Sequence, residues 1–551
     1  MPDNSPTPQT RSLNSLSLWG LSILVGAVAS LGAILFRALI GLLHNLFFLG
    51  KFTTVYDANL HTPPSPWGAL VILVPVVGAV GVAFLVKNFA PEAKGHGVPE
   101  VMDAVFHRKG VIRPVVSVVK AFASALSIGS GASIGREGPI IQIGSSFGST
   151  LGQFLRLSPW QRITLIAAGA GGGIAATFNT PIGGVLFAVE IILHEVSART
   201  LIPVVTGTAI AAYIGQLYFG SHPAFYIPAL EIHSFVTAKP ALFLAFAGLG
   251  LITGLVSALF IRSIYGFEAF FEKRVKGGYY VQHMLGMLVV GCVMYSMMGN
   301  FGHYYVQGVG YATIQDVLGN APLPLSMLLL LVVGKLLATS LTLGSGASGG
   351  VFSPALFIGA TTGATWGVML NHLFPGLQVS PAALAVAGMA GVVGGTTGAA
   401  MAAIAMIFEM TLDYNVIIPL TLTVAISYAV RRRLIRDSIY TRKLTLRGEP
   451  VPEAMRADVH LTGCASDLMR MVDPEELDAL IAGIPDGKPK EYVTVLEATP
   501  LSKVLATMRA SDASVALVAS HNGAVLAGDV MGVITHKDLV DALAEDMEIF
   551  D

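Results

Sequence analysis

Charge is scarce in this sequence. Only 12% of its 551 residues are Asp, Glu, Lys or Arg, against roughly 25% in a typical soluble domain. Cysteine is nearly absent: Cys292 and Cys464 stand far apart, so neither a disulfide framework nor a cysteine metal site follows. The opening residues lack the basic-then-apolar pattern of a signal peptide, and 1–15 reads as a short cytosolic tail. The shortage of charge is also uneven. From Arg447 to Asp551 there are 8 basic and 19 acidic residues, 8 − 19 = −11. The first 446 residues hold 33 − 8 = 25 basic and 34 − 19 = 15 acidic ones, a balance of +10. The first part is composed for a bilayer and the last for water. A secreted enzyme, a nucleic-acid binder and a disordered scaffold are excluded.

What is abundant is apolar. Runs long enough to span a bilayer include Leu16–Phe36, Trp67–Val86, Pro240–Ile261, and Met284–Met298 with its flanks. The stretch from Leu336 to Phe408 differs: it has no Asp, Glu, Lys or Arg, yet glycine and proline interrupt it repeatedly. That pattern predicts short, broken helices whose ends lie inside the protein, as transporters and channels use. Arg431, Arg432, Arg433, Arg436, Arg442, Lys443 and Arg447 follow the last apolar run, Asn415–Val430. By the positive-inside rule, this end and the tail beyond it are expected to be cytoplasmic.

The chain repeats itself. LSIGSGASIGREGPIIQIG at 126–144 matches LTLGSGASGGVFSPALFIG at 341–359 in ten of nineteen positions, an offset of 215 that Lys120 and Lys335 share. A weaker pair ends at Glu190 and Glu409. Duplicated halves would bring their glycine-rich loops together at the repeat interface. Three segments have a glycine-flanked, proline-started helix opening: GHGVP at 95–99, GREGP at 135–139 and GVFSP at 350–354. Glycine lets amides approach a ligand, and a helix N-terminus attracts anions through its dipole and free N–H groups. Three such ends hold an anion without a full counter-charge, so it can leave again.

These three motifs, with the late tyrosine in RDSIYTRKL, resemble the CLC family of chloride channels and proton-coupled chloride antiporters, over about 16–444. The resemblance implies an all-α polytopic membrane fold with inverted repeats and broken helices, assembled as a homodimer in the lipid bilayer. Its transported ligands would be chloride and similar anions, with protons, and it would need no cofactor. It implies a gating role for Glu137, anion binding by the amides of Val351 and Phe352 and the hydroxyl of Tyr440, and an outer anion site near Gly138. A carboxylate at Glu137 would sit in the anion's own place, and protonation would free it; the alternative is a salt bridge with Arg136. For Tyr440, anchoring at the membrane boundary is the alternative.

Two positions depart from the family pattern. His96 stands where many members have serine, and either donates a ring N–H to the anion or turns aside while its backbone serves. This leaves a fluoride-selective relative in view, although the retained GVFSP speaks against it. Ile191 stands where the resemblance puts an inner proton-relay glutamate, and isoleucine carries no proton. Glu190 beside it reads as structural, and His194 and Glu195 are the candidate proton path in its place. Channel and antiporter both stay open.

Residues 445–551 form an acidic α/β segment, whose clear portion at 493–546 reads strand, helix, strand, hairpin, strand, helix. It resembles a CBS domain, chiefly in GVITHKD at 532–538, with a shortened first copy before it. In that family Thr535 and Asp538 would hold an adenine nucleotide; stabilising a dimer is the favoured role for the tail. A membrane-anchored sensor with a vestigial pore is the competing reading. The compact tail and lack of targeting segments fit a bacterial inner membrane. No nucleophile–base pair, metal cluster or phosphate loop suggests an enzyme.

Overall fold

The computed structural model describes residues 12–194, 196–221, 224–225, 240–319, 321, 323–451, 464–471, 492–511, 513–520, 530–535 and 538. The chain divides into two compact units, Met1–Ala454 and Met455–Asp551. The division falls after Ala454 rather than after residue 444. The cause is local: Arg447 pairs with Glu100 at 2.6 Å, and Val451 is buried in the core of the first unit.

The first unit is helical. In chain order it contains α1 (Ser15–His44), α2 (Val74–Phe89), α3 (Val98–Phe106), α4 (Pro114–Gly129), α5 (Glu137–Phe154), α6 (Pro159–Phe178) and α7 (Pro181–Phe187). A wide helical turn, Ala188–Leu193, extends α7. Then follow α8 (Ala198–Phe219), α9 (Pro240–Arg274), α10 (Gly278–Phe301), α11 (Tyr311–Leu318), α12 (Leu325–Gly344), α13 (Phe352–Leu373), α14 (Pro381–Thr397), α15 (Ala400–Thr411), α16 (Ile417–Leu434) and α17 (Thr441–Arg447). Among the described residues, seven helices are long and apolar enough to cross a membrane. The four runs expected from sequence lie in α1, in Gly68–Phe89, in α9 and in α10. The charge-free stretch is broken between α13, α14 and α15, where proline or glycine stands at the junctions.

Apolar side chains are both inside and outside the first unit. Large apolar side chains face outward along α1, α9 and α12, with Leu35 70% and Leu244 73% exposed. The interior packs glycine, alanine, serine and threonine among buried Leu, Ile, Val and Phe, as expected where lipid removes the hydrophobic drive between helices and close packing replaces it. The two halves repeat this packing. A Cβ on Gly144 would lie 2.2 Å from the Gly169 carbonyl oxygen where α5 crosses α6. Where α13 crosses α14, a Cβ on Gly359 would lie 2.3 Å from that of Gly388. These positions correspond across the repeat: 359 − 144 = 215 and 388 − 169 = 219. Only glycine lets these helix pairs approach so closely.

The two repeat-related lysines do the same work in each half. Lys120 donates to the carbonyls of Ala93 (3.0 Å) and Gly95 (2.7 Å), just before α3. Lys335 donates to Val306 (3.1 Å) and Gly308 (2.7 Å), just before α11. Both are fully buried, and each ammonium is satisfied by loop carbonyls that have no place in a helix ladder.

The second unit contains α18 (Ala465–Leu468), α19 (Leu501–Ala510) and the strands β1 (Tyr492–Leu496), β2 (Val515–Ala519) and β3 (Val530–Thr535). The sheet order is β1-β2-β3: β1 is parallel to β2, and β2 is antiparallel to β3. The parallel pair requires a crossover, which α19 supplies. Arg470 pairs with Val533, and Ala465 is buried in the same core. The segment before β1 therefore belongs to this small α/β body. The final helix expected from sequence lies outside the described residues.

Candidate functional site

Three helix openings meet in the first unit. The loops before α3 and α13 are joined where Gly95 N–H donates to Ala347 (3.0 Å) and Gly349 N–H to Gly95 (3.2 Å). The loops before α5 and α13 are joined by Gly135 and Gly350, each donating to the other at 2.7 Å. Gly138 completes the junction. A Cβ there would lie 2.1 Å from the His96 carbonyl oxygen and 3.1 Å from Gly350 Cα. The three glycine motifs are thus one structure. The N-terminal end of a helix leaves its first amides without partners inside the helix, and here three such ends share one neighbourhood.

The Glu137 carboxylate lies at that junction. It is 2% exposed and accepts the Ser353 backbone N–H at 3.2 Å, in the first turn of α13. The Ser353 hydroxyl also donates to it, as does the Tyr311 hydroxyl at 2.6 Å. A negative group held by a helix opening and two hydroxyls is the arrangement expected where anions bind. Arg136, which precedes α5, does not pair with this carboxylate; its guanidinium lies over the Tyr311 ring, 5.1 Å from the centroid.

The other expected residues lie close by. Val351 directly precedes α13, Phe352 begins it, and both are buried. Phe352 packs on Phe178, ring centroids 5.6 Å apart. Tyr440 is buried between Phe187 and His96, 6.4 Å from each by ring centroids. Its position is fixed by Ile439, whose N–H donates to Thr396 (2.9 Å) and whose carbonyl accepts from Tyr265 (2.5 Å). His96 is 3% exposed, and its Nδ1 is buried without a hydrogen-bond partner among the described residues. The Gly97 backbone behind it has φ +86°, a conformation that favours glycine.

A cavity of about 80 Å³ is lined by Glu190, Ile191, His194, Arg431, Arg436 and Ser438, among others. Ile191 is buried in the wide turn. His194 ends that turn in a left-handed conformation, φ +51°. Glu195 lies outside the described residues. Glu190 accepts N–H groups of Met401 (3.1 Å) and Ala402 (2.7 Å), so its carboxylate caps α15. In the second unit, Thr535 and Asp538 bond each other. Asp538 accepts from the Thr535 N–H and hydroxyl, both at 2.7 Å, and its own N–H donates back at 3.1 Å.

Tyr311 and Ser353 were not legible as gate partners in the sequence. Tyr311 does carry a signal: Gly308-Val309-Gly310-Tyr311 has the same form as Gly95-His96-Gly97-Val98, one half-repeat earlier. Lys335 and Lys120 mark the two segments as equivalent.

The fold and this junction define a helical membrane protein with helix ends turned on a protonatable carboxylate. The sequence model of voltage gated chloride channels matches residues 78–432, and the chain belongs to that family. It is 33% identical over 383 residues to a putative chloride channel protein ClcB-like from Ralstonia nicotianae (strain ATCC BAA-1114 / GMI1000), covering 69% of this chain and 86% of that one. It is 32% identical over 412 residues to the H(+)/Cl(-) exchange transporter ClcA of Vibrio parahaemolyticus serotype O3:K6 (strain RIMD 2210633), covering 70% and 83%. The crystal structure of a slow cyanobacterial Cl-/H+ antiporter has the same fold. The TM-score is 0.67 at 24% identity, over 79% of this chain and 99% of the other.

Proposed function

We propose that this protein moves chloride across a membrane in exchange for protons, with Glu137 as the gate. One observation carries the reading: the Glu137 carboxylate sits on the Ser353 amide at the opening of α13, where an anion would otherwise bind. Anion and carboxylate then compete for one place. A proton neutralises Glu137, weakens its hold on the helix end and lets chloride take its position. Val351 and Phe352 would supply amides to the central ion, Tyr440 its hydroxyl, and Gly138 an outer amide; His96 would face the same ion. The exchange relatives support proton coupling, while Ile191 in the cavity wall supports weak coupling.

The working unit is a homodimer in a bacterial inner membrane, with the second unit in the cytoplasm. Its orientation follows from the arginines after α16. The second unit is a CBS-like module that stabilises the dimer. For adenine-nucleotide binding there, Asp538 would offer Oδ1, since its bonds with Thr535 all use Oδ2 or its own N–H.

Glu137→Gln removes the charge and keeps the shape. In proteoliposomes, chloride efflux of the variant should be at least that of the parent at neutral pH and independent of pH, with no accompanying proton movement. Parental rate and pH response in the variant would remove Glu137 from the pathway.

A further inference from the structure

Tyr311 is placed as few side chains in this protein are. It is the first residue of α11 and 3% exposed, and its hydroxyl lies 2.6 Å from Glu137 Oε1 and 2.9 Å from the Ser353 Oγ. The phenol therefore touches both the carboxylate and the residue whose amide receives it. Its ring is held from several sides: by Phe225 edge-on at 5.3 Å, by Phe178 at 6.4 Å and by the Arg136 guanidinium at 5.1 Å. Behind it, Lys335 fixes the carbonyls of Val306 and Gly308, so the loop leading into α11 is anchored. The Tyr311 ring is fixed, while the carboxylate it holds has flexible torsions. A fixed donor aimed at a movable acceptor is a catch.

We propose that Tyr311 is the latch of the Glu137 gate: its hydroxyl holds the carboxylate on the α13 opening, and opening requires that bond to break. The inference rests on Glu137 being the gate. Ionised Glu137 accepts from Tyr311 through full negative charge, a bond roughly twice as strong as a neutral one. Protonated Glu137 offers a weaker acceptor, so the latch loosens as the charge disappears. Tyr311 thereby favours the closed, ionised state and lowers the pH at which the gate opens. Ser353 donates to the same carboxylate, but its amide belongs to the helix end that also attracts the anion. Tyr311 lies in the same half-repeat as Ser353, on the loop that corresponds to the one before α3, so it adds to closure without being one of the three converging openings.

Other charged or titratable groups surround this contact. Arg136 lies over the ring, and Lys335 and Tyr440 lie within electrostatic reach of Glu137. Arg37 of α1 lies within reach of Tyr311. Tyr56 and His61 line a cavity of about 30 Å³ behind Tyr311. None of these donates a hydrogen bond to the Glu137 carboxylate among the described residues; Tyr311 and Ser353 do.

Tyr311→Phe deletes the hydroxyl and keeps the ring contacts. Measured as chloride efflux from proteoliposomes against pH, the variant should reach half-maximal flux about one pH unit higher than the parent, the displacement that follows loss of a hydrogen bond to a charged group. Its flux at pH 7 should rise several-fold. In the Glu137→Gln background the same change should do nothing further, because the bond it removes no longer holds a charge. Replacing Tyr311 by a 3-fluorotyrosine, a stronger donor of the same shape, should move the midpoint the other way. Reduced flux with an unmoved midpoint would make Tyr311 merely structural and overturn the proposal. So would equal effects of Tyr311→Phe with and without Glu137. If Glu137→Gln itself leaves the pH response intact, the gate reading fails first. If it abolishes the response while Tyr311→Phe leaves the midpoint unchanged, the gate stands and only the latch falls.

Discussion

Glu190 and Glu409 cap each other's helices. Glu190, at the end of the first half-repeat, accepts the N–H groups of Met401 and Ala402 at the start of α15. Glu409, its counterpart in the second half, accepts those of Ile182 (3.0 Å) and Gly183 (2.7 Å) at the start of α7. Each carboxylate thus satisfies two amides that the other half's helix leaves without partners. A twofold relation between the halves produces this reciprocity.

Breaking either cap should therefore cost about the same. Glu190→Ala and Glu409→Ala are each expected to lower stability by about 1–2 kcal/mol, the upper part of the range for a lost N-cap. Thermal unfolding of the detergent-solubilised protein measures this. A large loss from one and none from the other would show that the two caps are not equivalent. Because the Glu190 carboxylate is occupied in this way, carrying protons would require it to leave α15.

Much of this was legible because the repeat is written in glycine and proline, residues whose backbone demands are local. GREGP and GVFSP announce helix openings, and the offset of 215 says that they are equivalent. Their meeting at Gly135 and Gly350 needed the structure, since two-residue bridges carry no periodic signal. Tyr311 was hidden for another reason. A tyrosine at the start of a short apolar helix resembles ordinary core, and its contact with Glu137 spans 174 residues of sequence. The division after Ala454 was hidden because charge marks where water begins, whereas α17 is basic and still packs with the first unit.

His107 offers a pH-dependent contribution to stability away from the gate. It follows α3, with its Nδ1 3.3 Å from Asp103 Oδ1, and Arg108 pairs with the same carboxylate at 2.7 Å. The Asp103 carboxylate beside it holds the imidazole above its ordinary range, against a smaller opposing effect of burial. A histidine with a raised folded-state pKa adds stability that is fully present below the unfolded value of about 6.5 and is lost as pH rises through the folded value. The parent should accordingly gain over His107→Gln at pH 5.5 and lose that advantage by pH 8.5. Melting temperatures of the two proteins at both pH values check the sign. An advantage that grows with pH would contradict it.

The cavity lined by Ile191 bears on the strength of proton coupling. Ile191 lines it and binds no proton, while Glu190 is engaged in capping α15. Arg431 is committed to backbone, donating to the carbonyls of Gly395 (2.6 Å) and Arg436 (2.9 Å). Of the cavity's proton-binding groups, His194 is the one whose ring Nδ1 is buried without a partner among the described residues. Protons from this side then depend on His194, on Glu195 or on water, and fewer should move per chloride than through a dedicated carboxylate at position 191. Ile191→Glu restores an acid beside the cavity. It should raise the proton-to-chloride ratio, and His194→Ala should lower it. Both are read from proteoliposomes under a chloride gradient, with external pH and chloride recorded together. A ratio that neither substitution changes would place proton entry elsewhere. A parent that already pumps protons uphill at a fixed ratio would show that coupling here needs no acid at position 191.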